Sequence, residues 1–267
     1  VSQLTTIKNI TVSLQPENQQ SRQLAAISSD NSKIQTTLDL QTATIDPFSR
    51  VYFWFNAEMQ DGSMVSSPSY WFDYIDNRYQ WKTNSSKLFS IHWVSGDSFY
   101  GQKIQQISRE GLERATQLLP VVPDLPVEIY VYPDGESLRS ILTSNSKSWV
   151  NGHAFIIVNR IVISDSLPLE DTTDLERTIP HELMHLLQYQ VVAENYAYTP
   201  AWLTEGLASQ TELYPNSTRE RDFEKAIETG SLTPLSTLCL GISPDPEQAN
   251  IDYAHSASLV KYIQNTY

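Results

Sequence analysis

Apolar and polar residues alternate through KIQTTLDLQTATI (residues 33–45), and RVYFWFNAEM (residues 50–59) is a run of β-branched and aromatic side chains. A period of two places successive side chains on opposite faces of a strand, and QDGSM and SSPS supply the turn residues between strands. Residues 1–82 are therefore expected to form a small antiparallel β-sandwich of immunoglobulin-like type. From about residue 83 the period changes. IHWVSG reads as a strand, and in YGQKIQQISREGLERATQLL the residues Ile104, Ile107, Gly111, Ala115, Leu118 and Leu119 recur at helical spacing. VEIYVY is a short strand, ESLRSIL a helical turn or two, and AFIIVNRIVIS a pair of strands or one long bent strand. From about Thr172 the pattern is helical: TDLERTIPHELMHLLQYQVVAE, TPAWLTEGLASQTEL, RERDFEKAIE closed by Gly230, and YAHSASLVKYIQNTY after Pro234, Pro244 and Pro246. Strands followed by helices predict an α+β fold, with a mixed sheet and helices in a second domain over residues 83–267.

Composition narrows the chemistry. At 267 residues and 40% hydrophobic content the chain can bury a sizeable core. A net charge of -13 argues against nucleic acid and anionic membrane as partners. Cys239 is the only cysteine, which rules out a disulfide framework and a thiolate zinc cluster, so any metal must be held by His and carboxylate side chains. No apolar run approaches the roughly 20 residues that span a bilayer. The segment VSQLTTIKNI lacks the apolar stretch of a signal peptide. An extracytoplasmic or secreted protein, its leader removed from a longer precursor, is the expectation. The last predicted helix runs to Tyr267, which points to a chain cut from a longer one.

His181-Glu182-Leu183-Met184-His185 is an H-E-x-x-H segment. Residues four apart on a helix share a face, so the two imidazoles can bind one zinc at about 2.0–2.1 Å each. Glu182 is displaced round the helix, where its carboxylate can reach a metal-bound water rather than the metal. Leu183, Leu186 and Leu187 supply the opposite, buried side. A polar His-Glu pair on an exposed helix face would be the bland explanation. Against it, zinc needs a third protein ligand, and Glu205 in WLTEGLA lies on a second predicted helix with Thr199 as N-cap and Pro200 at its first position. Glu205 follows His185 by 20 residues, a gap that allows a turn through Asn195–Tyr198 and an antiparallel return that can bring Glu205 to the metal.

HELMH followed by WLTEGLA resembles the gluzincin zinc metallopeptidases, and the whole pattern is similar to the bacterial peptidase MA-like proteins. The resemblance implies one zinc ion per chain held by His181, His185 and Glu205, with Glu182 as general base and a peptide or protein as substrate. Related enzymes stabilise the oxyanion with a Tyr or His from a later segment, and Tyr253 and His255 are the two candidates here. Pro180 departs from the pattern, since a proline inside a helix removes a hydrogen bond. No Gly-x-Met-Glu-Asn stretch is present to anchor a substrate's free amine, which favours endopeptidase over aminopeptidase action. Ser209 stands where some gluzincins carry a carboxylate that orients a ligand histidine, so such a group must come from elsewhere. Three other readings stay open: a non-catalytic binding module that keeps the fold, a zinc hydrolase of a non-peptide amide or ester, and a structural zinc site. His153 is read as a surface-loop residue, or else as part of an edge strand lining the cleft, and His92 as structural. Oligomeric state and association with a cell envelope through residues beyond this chain are left open.

Overall fold

The fold is taken from a computed structural model. It describes residues 7–17, 20, 22–25, 27–30, 33–35, 45, 48–142, 149–165 and 167–267. The chain divides into two compact units, Val1–Arg78 and Tyr79–Tyr267.

The first unit is antiparallel β-structure. Strands β1 (Ile7–Pro16), β2 (Arg22–Ala25), β5 (Arg50–Met59), β6 (Met64–Ser66) and β7 (Tyr70–Asp73) form one sheet, and β3 (Ile27–Asp30) pairs with β4 (Lys33–Gln35) in a separate hairpin. The β5–β6 turn is QDGSM, as its residues predict: Met59 N–H donates to Ser63 O, and Gly62 supplies the positive φ of 83°. Val12, Leu14 and Val51 make a small core. These strands do not by themselves establish the immunoglobulin-like sandwich expected from the sequence. The alternating segment that carried much of that expectation falls largely on residues 36–44, outside those described.

The second unit has a mixed sheet of order β11-β12-β10-β9-β8: β8 (Lys82–Ser85), β9 (Phe89–Trp93), β10 (Val127–Tyr132), β11 (Gly152–Phe155) and β12 (Arg160–Ser164). The inner strands β9, β10 and β12 are parallel, and the edges β8 and β11 are antiparallel to their neighbours. Buried parallel strands read as continuous apolar runs, which is why VEIYVY and RIVIS show little alternation. Ile91, Ile129 and Ile161 lie in register across the inner strands. With Ile163 and Val131 they pack into one core with α1 (Ser98–Leu118) and α3 (Thr173–Val192). On the other face Trp81 meets Tyr130 and Tyr132 at ring distances of 5.2 and 5.1 Å. Tyr79 joins them at 5.6 Å from Tyr132.

The helices follow as α2 (Gly135–Arg139), α3, a 3-10 turn (Ala193–Tyr198), α4 (Ala201–Thr211), α5 (Ser217–Thr229), α6 (Leu235–Leu238) and α7 (Pro246–Thr266). Asp97, Asn216 and Asp245 cap α1, α5 and α7 through their side chains, and Gly230 ends α5 in the left-handed conformation. The expected cap of α4 falls one residue off. Pro200 rather than Thr199 is the N-cap of α4, and its carbonyl accepts from Thr204 N. At the start of α3, Asp171 Oδ1 accepts from Thr173 N and Thr172 Oγ1 donates to Glu176.

Candidate metal centre

On α3, Leu175, Ile179, Leu183 and Leu187 are fully buried and recur every four residues, forming the stripe that faces the sheet. His181 and His185 are two residues out of phase with it, about 200° round the helix. That is the side on which α4 packs. Pro180 sits inside α3 without ending it. Because proline has no N–H, the Glu176 carbonyl lacks its usual intrahelical donor. It accepts instead from Leu213 N at 2.9 Å, which ties the chain just after α4 to the first turn of α3.

The antiparallel return of α4 brings the three sequence-predicted ligands together. His181 Nε2 is 3.2 Å and His185 Nε2 3.5 Å from Glu205 Oε2, and the three ligating atoms all lie within 4.8 Å of one another. A tetrahedral zinc with bonds of about 2.05 Å places its ligand atoms about 3.3 Å apart. Among the described residues, two imidazoles and one carboxylate supply three of the four donors that a zinc ion takes.

The nitrogens turned away from this point have partners. His185 Nδ1 is 2.9 Å from Tyr196 Oη and 3.4 Å from Gln188 Oε1, and Gln188 Nε2 donates to Thr204 O at 2.9 Å. His181 Nδ1 lies 3.4 Å from Glu212 Oε1, and Arg219 Nη1 donates to that same oxygen at 2.6 Å. Contacts of this kind fix the ring orientation and leave Nε2 free to coordinate. The residues present fit a zinc ion.

Electrostatics agree with a site built to hold positive charge. Burial pulls the His181 imidazole down, but hydrogen bonds to Glu205 and Glu212 and the charges of Glu205 and Glu182 outweigh it and push it up to about 10. Burial works against ionisation of Glu205, yet His185 and His181 hold it well below the usual carboxylate range. Glu212 is likewise held low, against its burial, by His181 and Arg219.

Glu182 is buried, and its carboxylate lies against Gly152 of the edge strand β11. The two oxyanion candidates part company. The Tyr253 ring is 5.7 Å from the His181 ring, and burial together with Glu205 raises its hydroxyl well above the ordinary tyrosine value. His255 stacks instead on Phe223 at 5.8 Å, two residues along α7 and away from the ligands. His153 sits on β11 rather than in a loop, edge-on to Phe155 at 4.9 Å. His92 stacks on Tyr130 at 4.3 Å, on the sheet.

Tyr196, Gln188, Glu212 and Arg219 were not picked out from the sequence. Glu212 carried the best available signal, since it lies seven residues, or two helical turns, after Glu205. Tyr196 and Arg219 reach the site only through the tertiary fold and have no spacing that marks them. Among curated proteins, none matches the chain. The profile of the peptidase MA superfamily, however, matches residues 107–267, more than half of the chain and all of the elements that build this site, so the chain belongs to the peptidase MA superfamily.

Proposed function

We propose that the chain is a zinc-dependent peptidase of the gluzincin kind, an endopeptidase, in which His181, His185 and Glu205 hold the metal. The observation that carries this reading is the convergence of the two Nε2 atoms on Glu205 Oε2, at 3.2 and 3.5 Å, in a chain of this superfamily. Zinc bound there supplies Lewis acidity toward a carbonyl oxygen and toward water. Glu182, next in sequence to a ligand but turned off its face, accepts the proton of the attacking water and passes it to the leaving amine. Tyr253, kept protonated by burial among carboxylates, donates its O–H toward the oxyanion. The sequence lacks the acidic stretch that would anchor a free amine, which supports internal cleavage of a peptide or protein.

Elemental analysis of chain purified without chelator tests the reading, with Glu205→Ala and Glu182→Gln alongside. Near one zinc per chain is expected, weakened or lost in Glu205→Ala. Glu182→Gln should keep its zinc and lose hydrolysis by about 10²–10⁴-fold. A chain that takes up no zinc after reconstitution would sink the proposal and leave a binding module. Hydrolysis by Glu182→Gln above about one per cent of wild type would remove Glu182 from the role of base.

A further inference from the structure

Behind His181 the contacts converge on one side chain. Arg219 belongs to α5, a helix that contributes no candidate ligand. Its backbone is fixed, because Asn216 Oδ1 accepts from Arg219 N at 3.2 Å and caps the helix there. Its Nη1 donates to Glu212 Oε1 at 2.6 Å, the oxygen that stands 3.4 Å from His181 Nδ1. Its Cζ sits 4.7 Å over the ring of Tyr253, and that ring meets the His181 ring at 5.7 Å and 73°. His181 on α3, Glu212 at the end of α4, Arg219 on α5 and Tyr253 on α7 therefore close a circuit of four side chains.

The guanidinium suits this place for a geometric reason. Its edge satisfies a carboxylate while its face covers a ring, so one group serves both neighbours at once. A lysine ammonium is a point charge and reproduces the first contact without the planar second one. The pair is also shielded, with the Glu212 side chain 7% and the Arg219 side chain 23% exposed. It is thus more than a solvated surface ion pair. The backbone bond from Leu213 to Glu176 braces Glu212 from the other side, which leaves Arg219 to set where its carboxylate points.

We propose that Arg219 is a positioning residue of the metal site: it holds Glu212 against His181 and Tyr253 against the same imidazole, so that the ligand and the oxyanion donor are aligned by one group. The inference rests on the peptidase reading above. It predicts effects on metal affinity and on turnover that an ordinary structural ion pair would not produce.

The test measures zinc affinity by chelator competition, and kcat and KM at saturating zinc, for Arg219→Gln, Arg219→Lys, Glu212→Gln, Tyr253→Phe and the doubles with Arg219→Gln. Arg219→Gln is expected to weaken zinc binding about 10–100-fold. Adding Glu212→Gln to it should cost no more than about a further threefold, because both act through one contact. Arg219→Lys should recover most of the zinc affinity while kcat stays about tenfold low with KM little changed, since the planar contact to Tyr253 is lost. Arg219→Gln should lower kcat no further in the Tyr253→Phe background. Zinc affinity and kcat both within about twofold of wild type, with only the melting temperature reduced, would overturn the proposal and leave a structural pair. If Arg219→Gln does not fold, unchanged kcat in Arg219→Lys overturns it equally. A wild-type chain that binds no zinc would instead remove the peptidase reading itself, and this inference with it.

Discussion

At Gly152 a methyl group would arrive 2.4 Å from Thr178 Cγ2 and 2.8 Å from Glu182 Oε1. Neither approach is tolerable, so Gly152→Ala must turn one of those side chains aside. A displacement of about 1 Å in a reacting group can cost about 10²-fold in rate. We expect Gly152→Ala to lower kcat at least tenfold while zinc affinity, set by ligands on the other side of Glu182, changes little; steady-state kinetics and a zinc titration on the same sample check it. Gly152 is invisible to sequence reasoning, because its importance is the space it leaves rather than a group it offers. The contrast with His181, His185 and Glu205 is instructive. Their spacing alone put two imidazoles on one face of a helix and a carboxylate on the return, since helical periodicity is local. Tyr196 and Arg219 are defined by contacts between elements, and no local period records those; Glu212 has only its two-turn spacing from Glu205. Tyr253 and His255 were equivalent in the sequence, two residues apart on a helix. Only the packing of α7 separates them, because two residues is about 200° of rotation.

At the scale of elements, α4 and α7 pack so closely that a Cβ on Gly206 would stand 2.4 Å from the Ser256 carbonyl oxygen and 2.7 Å from Val260 Cγ2. The nearest atom is backbone, which cannot swing away. Gly206→Ala must therefore separate the two helices, and overpacking of this kind costs about 1–3 kcal/mol. A fall of roughly 3–10 °C in the melting temperature is expected. Glu205 is the adjacent residue, so zinc affinity should drop with it, whereas an equally destabilising change remote from α4 should spare the metal. Paired thermal melts and zinc titrations decide between them. The elements themselves were largely legible. The α1 and α3 segments repeat apolar residues at helical spacing, and the short buried strands β10 and β12 announce themselves as apolar runs. The cap of α4 was misplaced by a residue because the first turn is closed on the backbone carbonyl of Pro200, with no side chain involved.

For the whole molecule, the described candidate site lies entirely within Tyr79–Tyr267. A ligand that binds only the folded state stabilises it by about 2.7 kcal/mol at one hundred times its Kd. Zinc should therefore raise the unfolding transition of this unit by roughly 5–10 °C and leave that of the first unit where it is. Calorimetry with zinc and with chelator, on the full chain and on residues 79–267 alone, checks it; a joint shift of a single transition would show that the two units unfold as one. The first unit was the harder to read. Alternation predicts strands but not how they pair, since pairing is a long-range choice.

Pro180 offers no ligand to the site, yet it shapes the site through a group it does not have. The vacant acceptor on Glu176 is a socket, and Leu213 is the plug. Any other residue at position 180 would bring an N–H that competes for the socket from within its own helix. The substitution that most improves α3 as an isolated helix is thus one that loosens its joint with α4. Selection for regularity and selection for function pull against each other at this position, and a search for stabilising changes that scored helices one at a time would choose the wrong residue.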